Sequence, residues 1–125
     1  MPKVRVTPQP TLRLQIKHGI AIGPGKADLL EAIAATGSIN EACKMLKMSY
    51  RGGWALIQSM NEHFVEPLVE KSKGGATRGG ASLTPLGAEV LELYRLMERQ
   101  AVDAIRPSVA RLEAVLRPTM ARARR

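Results

Sequence analysis

Two helix starts lie eleven residues apart in this chain, and no other feature restricts its fold as strongly. Ser38 is followed three residues on by Glu41, the capping-box arrangement in which each side chain satisfies a backbone donor at the start of a helix, here one beginning at Ile39. Ile39, Ala42, Cys43 and Leu46 then recur at i, i+3, i+4 and i+7, an apolar stripe, while Lys44 and Lys47 fall off it. The helix is short, about two and a half turns. Lys47, Met48 and Ser49 are all that separates it from the next helix, for which Ser49 is a natural N-cap. Two helices joined so closely must cross at a steep angle.

In the following helix Gly53, Ile57, Met60 and Phe64 share one face with Trp54 beside them, and Arg51, Ala55, Gln58 and Glu62 occupy the opposite one. Glycines at 52 and 53 weaken a helix by roughly 1 kcal/mol each relative to alanine, so their presence predicts a close approach by the preceding helix or by a ligand. After Pro67, Leu68–Lys71 reads as a strand and Ala81–Leu83 as another, joined by KSKGGATRGG, a glycine-rich and basic hairpin tip. Thr84 caps a fourth helix with Pro85 at its first position, where a missing N–H costs nothing. Its stripe is Leu86, Val90, Leu93, Tyr94, Met97 and Ala101. Pro107 is expected to break or kink it near Arg106, with Val109, Leu112, Val115 and Leu116 in a last helix.

Upstream, residues 1–10 carry three prolines and no helical stripe and read as a flexible arm, compatible with entry into a minor groove. Leu12, Leu14 and Ile16 alternate with Arg13, Gln15 and Lys17 as in a short half-buried strand. Gly23-Pro24-Gly25 interrupts the chain, and Ala27, Leu30, Ile33 and Ala34 mark a first helix closed by Gly37. The expected organisation is therefore an arm over 1–10, one domain over 11–106, a C-terminal helix over 107–116 and a basic disordered tail over 117–125.

Composition narrows the chemistry. Nineteen Lys and Arg against eleven Asp and Glu give a net charge of +8, which favours polyanionic partners. Four aromatic residues in the whole chain are too few for a surface that stacks successive single-stranded bases, so duplex DNA is the better partner. The lone Cys43 can form no internal disulfide and builds no thiolate metal site; on the stripe of its helix it reads as a buried hydrophobe, in keeping with a reducing cytoplasm. No run approaches the roughly 18 apolar residues of a membrane span. Gly23-Pro24-Gly25-Lys26 lacks the first glycine and the terminal hydroxyl of a phosphate loop. His18 and His63 have no companions at metal-ligand spacing, and Met45, Met48 and Met60 are explained by packing. No catalytic constellation, metal site or cofactor is expected, and the chain does not read as an enzyme.

A short helix, a tight turn, a second helix and a basic two-stranded hairpin make a winged helix-turn-helix, a mainly α fold with a small β-hairpin and, here, additional C-terminal helices suited to dimerisation. The second helix of such a pair enters the major groove with its N-terminal residues at base edges. Ser49, Tyr50 and Arg51 occupy that position, with Gln58 two turns on for a second base or a phosphate. Lys44 and Lys47 join the same basic cluster, Ser38 with the amides after it can hold a phosphate, and Lys71, Lys73 and Arg78 on the hairpin suit flanking phosphates or the minor groove. On the fourth helix Leu86, Val90, Leu93, Tyr94, Met97 and Ala101, with Leu112 beyond, are expected to divide between core and dimer interface.

The runs ATGSINEACKMLKMSYRGGWALIQSMNE and PLVEKSKGGATRGGASLTPLGAEVLELY resemble the N-terminal DNA-binding domain of the molybdate-dependent, ModE-type regulators, itself akin to the LysR-type helix-turn-helix. The likeness covers roughly residues 28–100 and includes the G-S-I turn, the M-S-Y helix start, W-x-x-I-x-x-M-N, the glycine-rich wing and L-T-P-L-G. It implies a homodimeric, duplex-DNA-binding transcriptional regulator. Members that sense molybdate do so in C-terminal domains of another kind, so molybdate is not an expected ligand of this chain, and an effector is unspecified. The rival reading is a winged-helix protein–protein interaction module without specific DNA binding.

Overall fold

The computed structural model describes residues 10–17, 19–72 and 80–118. In chain order the elements are β1 (Leu14–Ile16), β2 (Gly19–Ile22), α1 (Pro24–Thr36), α2 (Ile39–Met45), α3 (Tyr50–His63), β3 (Val69–Lys71), β4 (Ala81–Leu83) and α4 (Pro85–Ala114). Each strand pair is antiparallel: β1 with β2, and β3 with β4 in the register Val69↔Leu83, Glu70↔Ser82, Lys71↔Ala81. The fold is a winged helix-turn-helix with an extra hairpin in front.

α1 is the centre of the core. Ala27, Leu29, Leu30, Ala32 and Ile33 are all buried, because α2, α4 and β4 pack around it and leave little of its circumference free. Sequence periodicity finds one side of this helix and misassigns Ala34, which is exposed. Ile39, Ala42 and Cys43 of α2, Ile57 and Met60 of α3, Leu68, Val69 and Ala81 of the second hairpin and Tyr94 of α4 complete the core. α1 stops at Gly37, whose left-handed φ of 71° lets its N–H bond the Ile33 carbonyl.

The helix starts are fixed by local capping. Ser38 Oγ accepts from Glu41 N, Ser49 Oγ from Gly52 N and Thr84 Oγ1 from Gly87 N. Between α2 and α3 the turn is a Schellman motif: Met48 N donates to the Cys43 carbonyl and Lys47 N to that of Lys44, with Lys47 itself at φ 58°. α3 then lies so close to α2 that a Cβ on Gly53 would collide with Cys43 Sγ. The close approach expected from the glycine pair is thus to α2, while a Cβ on Gly52 would meet the Oγ of its own cap at 3.0 Å.

Two features depart from sequence expectation. β2 was not anticipated, because Gly19-Ile20-Ala21-Ile22 shows little polar alternation; it pairs with β1 through an irregular register and places Ile22 in the core. The break at Pro107 is absent, and α4 runs through it as one helix to Ala114 instead of yielding to a separate helix over 107–116. Proline there removes the N–H that would serve the Asp103 carbonyl, but residues 103–108 are exposed, so water can serve it, and Arg106 bonds the Asp103 carboxylate at 2.7 Å.

α4 is tied to the body by two adjacent residues. Tyr94 is fully buried and its hydroxyl donates to the Leu12 carbonyl at 2.6 Å. The next residue, Arg95, donates to Asp28 and Glu31 of α1 and to Glu98, at 2.7–3.1 Å. Burial by itself disfavours the charged guanidinium; the hydrogen bonds to the three carboxylates outweigh it, and the pKa is raised.

Candidate nucleic-acid interface

The leading turn of α3 faces outward. Ser49, Tyr50 and Arg51 are exposed, and so are Ala55, Gln58 and Glu62, the side opposite Gly53, Ile57 and Met60. That division follows from helical periodicity alone. Tyr50 is 47% exposed. Ser49 keeps its hydroxyl engaged with Gly52 N at 2.9 Å, so it orders the turn as a cap while remaining at the surface.

Around this turn the basic residues stand on separate elements. Lys44 on α2 is exposed and paired loosely with Glu41 at 3.7 Å, a surface contact that leaves its charge available. Lys47 is exposed in the turn. Lys71 is exposed at the end of β3, with its ammonium 5.6 Å from the Trp54 ring centroid. Trp54 in turn meets Tyr50 edge to face, at 6.3 Å between centroids and 78° between planes. This cluster is where the structure joins α3 to the hairpin. Lys73 and Arg78 lie outside the described residues.

Ser38 is not brought to this surface. It is 8% exposed, its Oγ is taken by Glu41 N, and its backbone bridges to Gly80 while Gly37 O accepts from Ala81 N. Its backbone fastens the hairpin to the start of α2, while Asn40 and Glu41 after it are exposed. Tyr94 is likewise withdrawn from any dimer interface, because it is core of its own chain. Leu86 and Val90 pack partly against that same core, whereas Leu93 and Leu112 are 48% and 58% exposed, with Met97 and Ala101 half-buried.

Residue-level reading missed Asn61 and the role of Trp54. Asn61 Oδ1 accepts from Leu68 N at 2.8 Å and from Val69 N at 3.3 Å, and its Nδ2 donates to the Val69 carbonyl at 3.3 Å. It thus fixes the base of the hairpin to α3. Its signal was a polar residue at the inner edge of the helix beside Met60, where an amide must answer to a partner. Trp54 stands two turns before Asn61 on the same side of α3. Among the described residues no group of three His, Cys, Asp or Glu is placed to hold a metal ion, and no helix is long and apolar enough to cross a membrane.

Residues 26–88 match the family described as bacterial regulatory helix-turn-helix protein, lysR family. The chain is 38% identical to the transcriptional regulator ModE of Haemophilus influenzae over 88 residues, covering 70% of this chain and 34% of that protein. It is 38% identical to the molybdenum transport protein ModE of Azotobacter vinelandii over 104 residues, 83% of this chain and 38% of the relative. With the DNA-binding transcriptional dual regulator ModE of Escherichia coli K12 it shares 37% identity over 97 residues, 75% of this chain and 37% of the relative. The chain therefore spans little more than a third of the length of these relatives.

Proposed function

The chain belongs to the lysR family of bacterial regulatory helix-turn-helix proteins, and from that membership we propose that it binds duplex DNA sequence-specifically, as a homodimer, and regulates transcription by occupying its site. The observation that carries this reading is the outward-facing first turn of α3, Ser49-Tyr50-Arg51, with Lys71 of the hairpin strand β3 set against Trp54 of the same helix. A helix so presented fits the major groove, and Arg51 can donate two hydrogen bonds to a guanine edge, worth about 1–3 kcal/mol of discrimination. Gln58 stands two turns further along the same exposed face for a second base or a phosphate. Lys44, Lys47 and Lys71, with Lys73 and Arg78 between β3 and β4 in sequence, supply charge for the phosphates. The proposal assigns no molybdate site and no effector to these 125 residues.

Two-fold pairing would set the two copies of α3 in successive major grooves, about 34–36 Å apart, on a pseudo-palindromic site. Selection of bound fragments from a random duplex library tests this reading directly. A symmetric motif whose affinity falls steeply with salt is expected, and Arg51→Ala should relax the preference at one position of each half-site. Retention of no fragment at low salt, together with capture of a polypeptide partner, would replace it with a protein-interaction role.

A further inference from the structure

Lysine carries its charge on a flexible four-carbon stem and, at the exposed end of a short strand, has no intrinsic reason to hold one position. Lys71 is nevertheless set against an indole, the aromatic face that attracts a cation most strongly. The indole is itself fixed: Trp54 is half-buried against the core and Tyr50 abuts it from the preceding turn. The strand that carries Lys71 is fixed at its other end by Asn61, from the same side of α3. The position of this cation is therefore dictated by the recognition helix and not by the hairpin alone.

We propose that Trp54 is a positioning residue for DNA binding: it holds the Lys71 ammonium in register with the leading turn of α3, so that insertion of that turn delivers the cation to one particular backbone phosphate beside the groove. The inference rests on the duplex-binding reading above and adds to it a coupling between helix and hairpin. Side-chain freedom that an unrestrained lysine would lose on meeting a phosphate is already lost in the free protein. Trp54 touches no base in this scheme. It acts through Lys71, and Tyr50 keeps the indole edge in place.

The test is a double-mutant cycle on the full 125-residue chain, using its selected duplex as probe, with salt titrations of each variant. Lys71→Met should reduce the salt slope by about 0.9 and weaken binding about fivefold, as loss of one phosphate contact requires. In a Trp54→Leu background the same change should weaken binding less than about twofold, because the cation is no longer placed. Trp54→Phe, which keeps a π face, should preserve most of the Lys71 effect. Equal losses on Lys71→Met in both backgrounds, with unmodified protein still binding, overturn this proposal alone; absence of salt-dependent duplex binding by the unmodified protein overturns the functional reading and this coupling with it. Trp54 is the sole tryptophan, so its emission reports the contact without DNA. Lys71→Met should shift that spectrum, and an unchanged spectrum overturns the contact even if Trp54→Leu fails to fold.

Discussion

Lys47 sits at φ 58°, in the left-handed region that a side chain occupies only at a cost, and it does so at the C′ position of a Schellman motif where glycine is the usual choice. A cation is therefore present at the tightest point of the helix-turn-helix despite the backbone. Lys47→Gly should raise stability by about 0.5–1 kcal/mol, read from the urea midpoint, while duplex binding weakens through the lost charge. Gly53 and Cys43 form the opposite case, a contact in which nothing larger fits. Gly53→Ala should cost about 1–3 kcal/mol by overpacking, and Cys43→Ala in the same chain should recover much of it, a non-additivity that equilibrium unfolding of the single and double variants measures. Burial pushes the Cys43 thiol above its ordinary range, with a backbone hydrogen bond to Gly53 opposing it in part, so this sulfur is a packing atom and a poor nucleophile. That conclusion was readable from the stripe of α2, whereas the left-handed lysine was not, because nothing in the residue type at 47 announces its backbone conformation.

Elements whose ends are set by local chemistry were readable to within a residue. Ser38, Ser49 and Thr84 each cap the helix their sequence context assigns, since a cap needs only neighbours along the chain. The hairpin between Val69 and Leu83 was readable for a similar reason, from strand residues flanking a glycine-rich link. What holds the hairpin to the recognition helix was not readable, because it depends on where two distant elements come to rest. Asn61 supplies the acceptor for two N–H groups of the hairpin base, at Leu68 and Val69, both buried residues. Asn61→Ala should therefore cost about 1–3 kcal/mol and raise amide hydrogen exchange at Leu68 and Val69 ahead of the rest of the core. Asn61→Asp keeps the acceptor and should retain most of that protection. The exposed face of α3 was readable from period alone; the Trp54–Lys71 contact that aligns it with the hairpin was not.

At the scale of the whole molecule, α4 leaves large apolar side chains exposed along its distal part. Tyr94 is in the core and Leu86 and Val90 pack against it, and the same face continues through the half-buried Met97 and Ala101 to Ile105 and Leu112, with Leu116 just past the helix end. Ile105, Leu112 and Leu116 are 42%, 58% and 59% exposed. The continuation through Pro107 matters here, since a broken helix would have turned this face elsewhere. From Ala101 to Ala114 the helix extends about 20 Å, enough for a second copy to cover by two-fold packing of like residues. For the homodimer proposed above we place the interface on the distal part of α4, residues 101–114, with Leu112 in its last turn and the buried Tyr94 excluded from it. Leu112→Glu leaves the intrachain core untouched and puts a charge in that interface. Sedimentation velocity should then find a monomer with an unchanged thermal transition for the core, and affinity for a pseudo-palindromic duplex should fall at least tenfold while a single half-site is bound as before. A Leu112→Glu chain that still sediments as a dimer would move the interface to another face of the molecule.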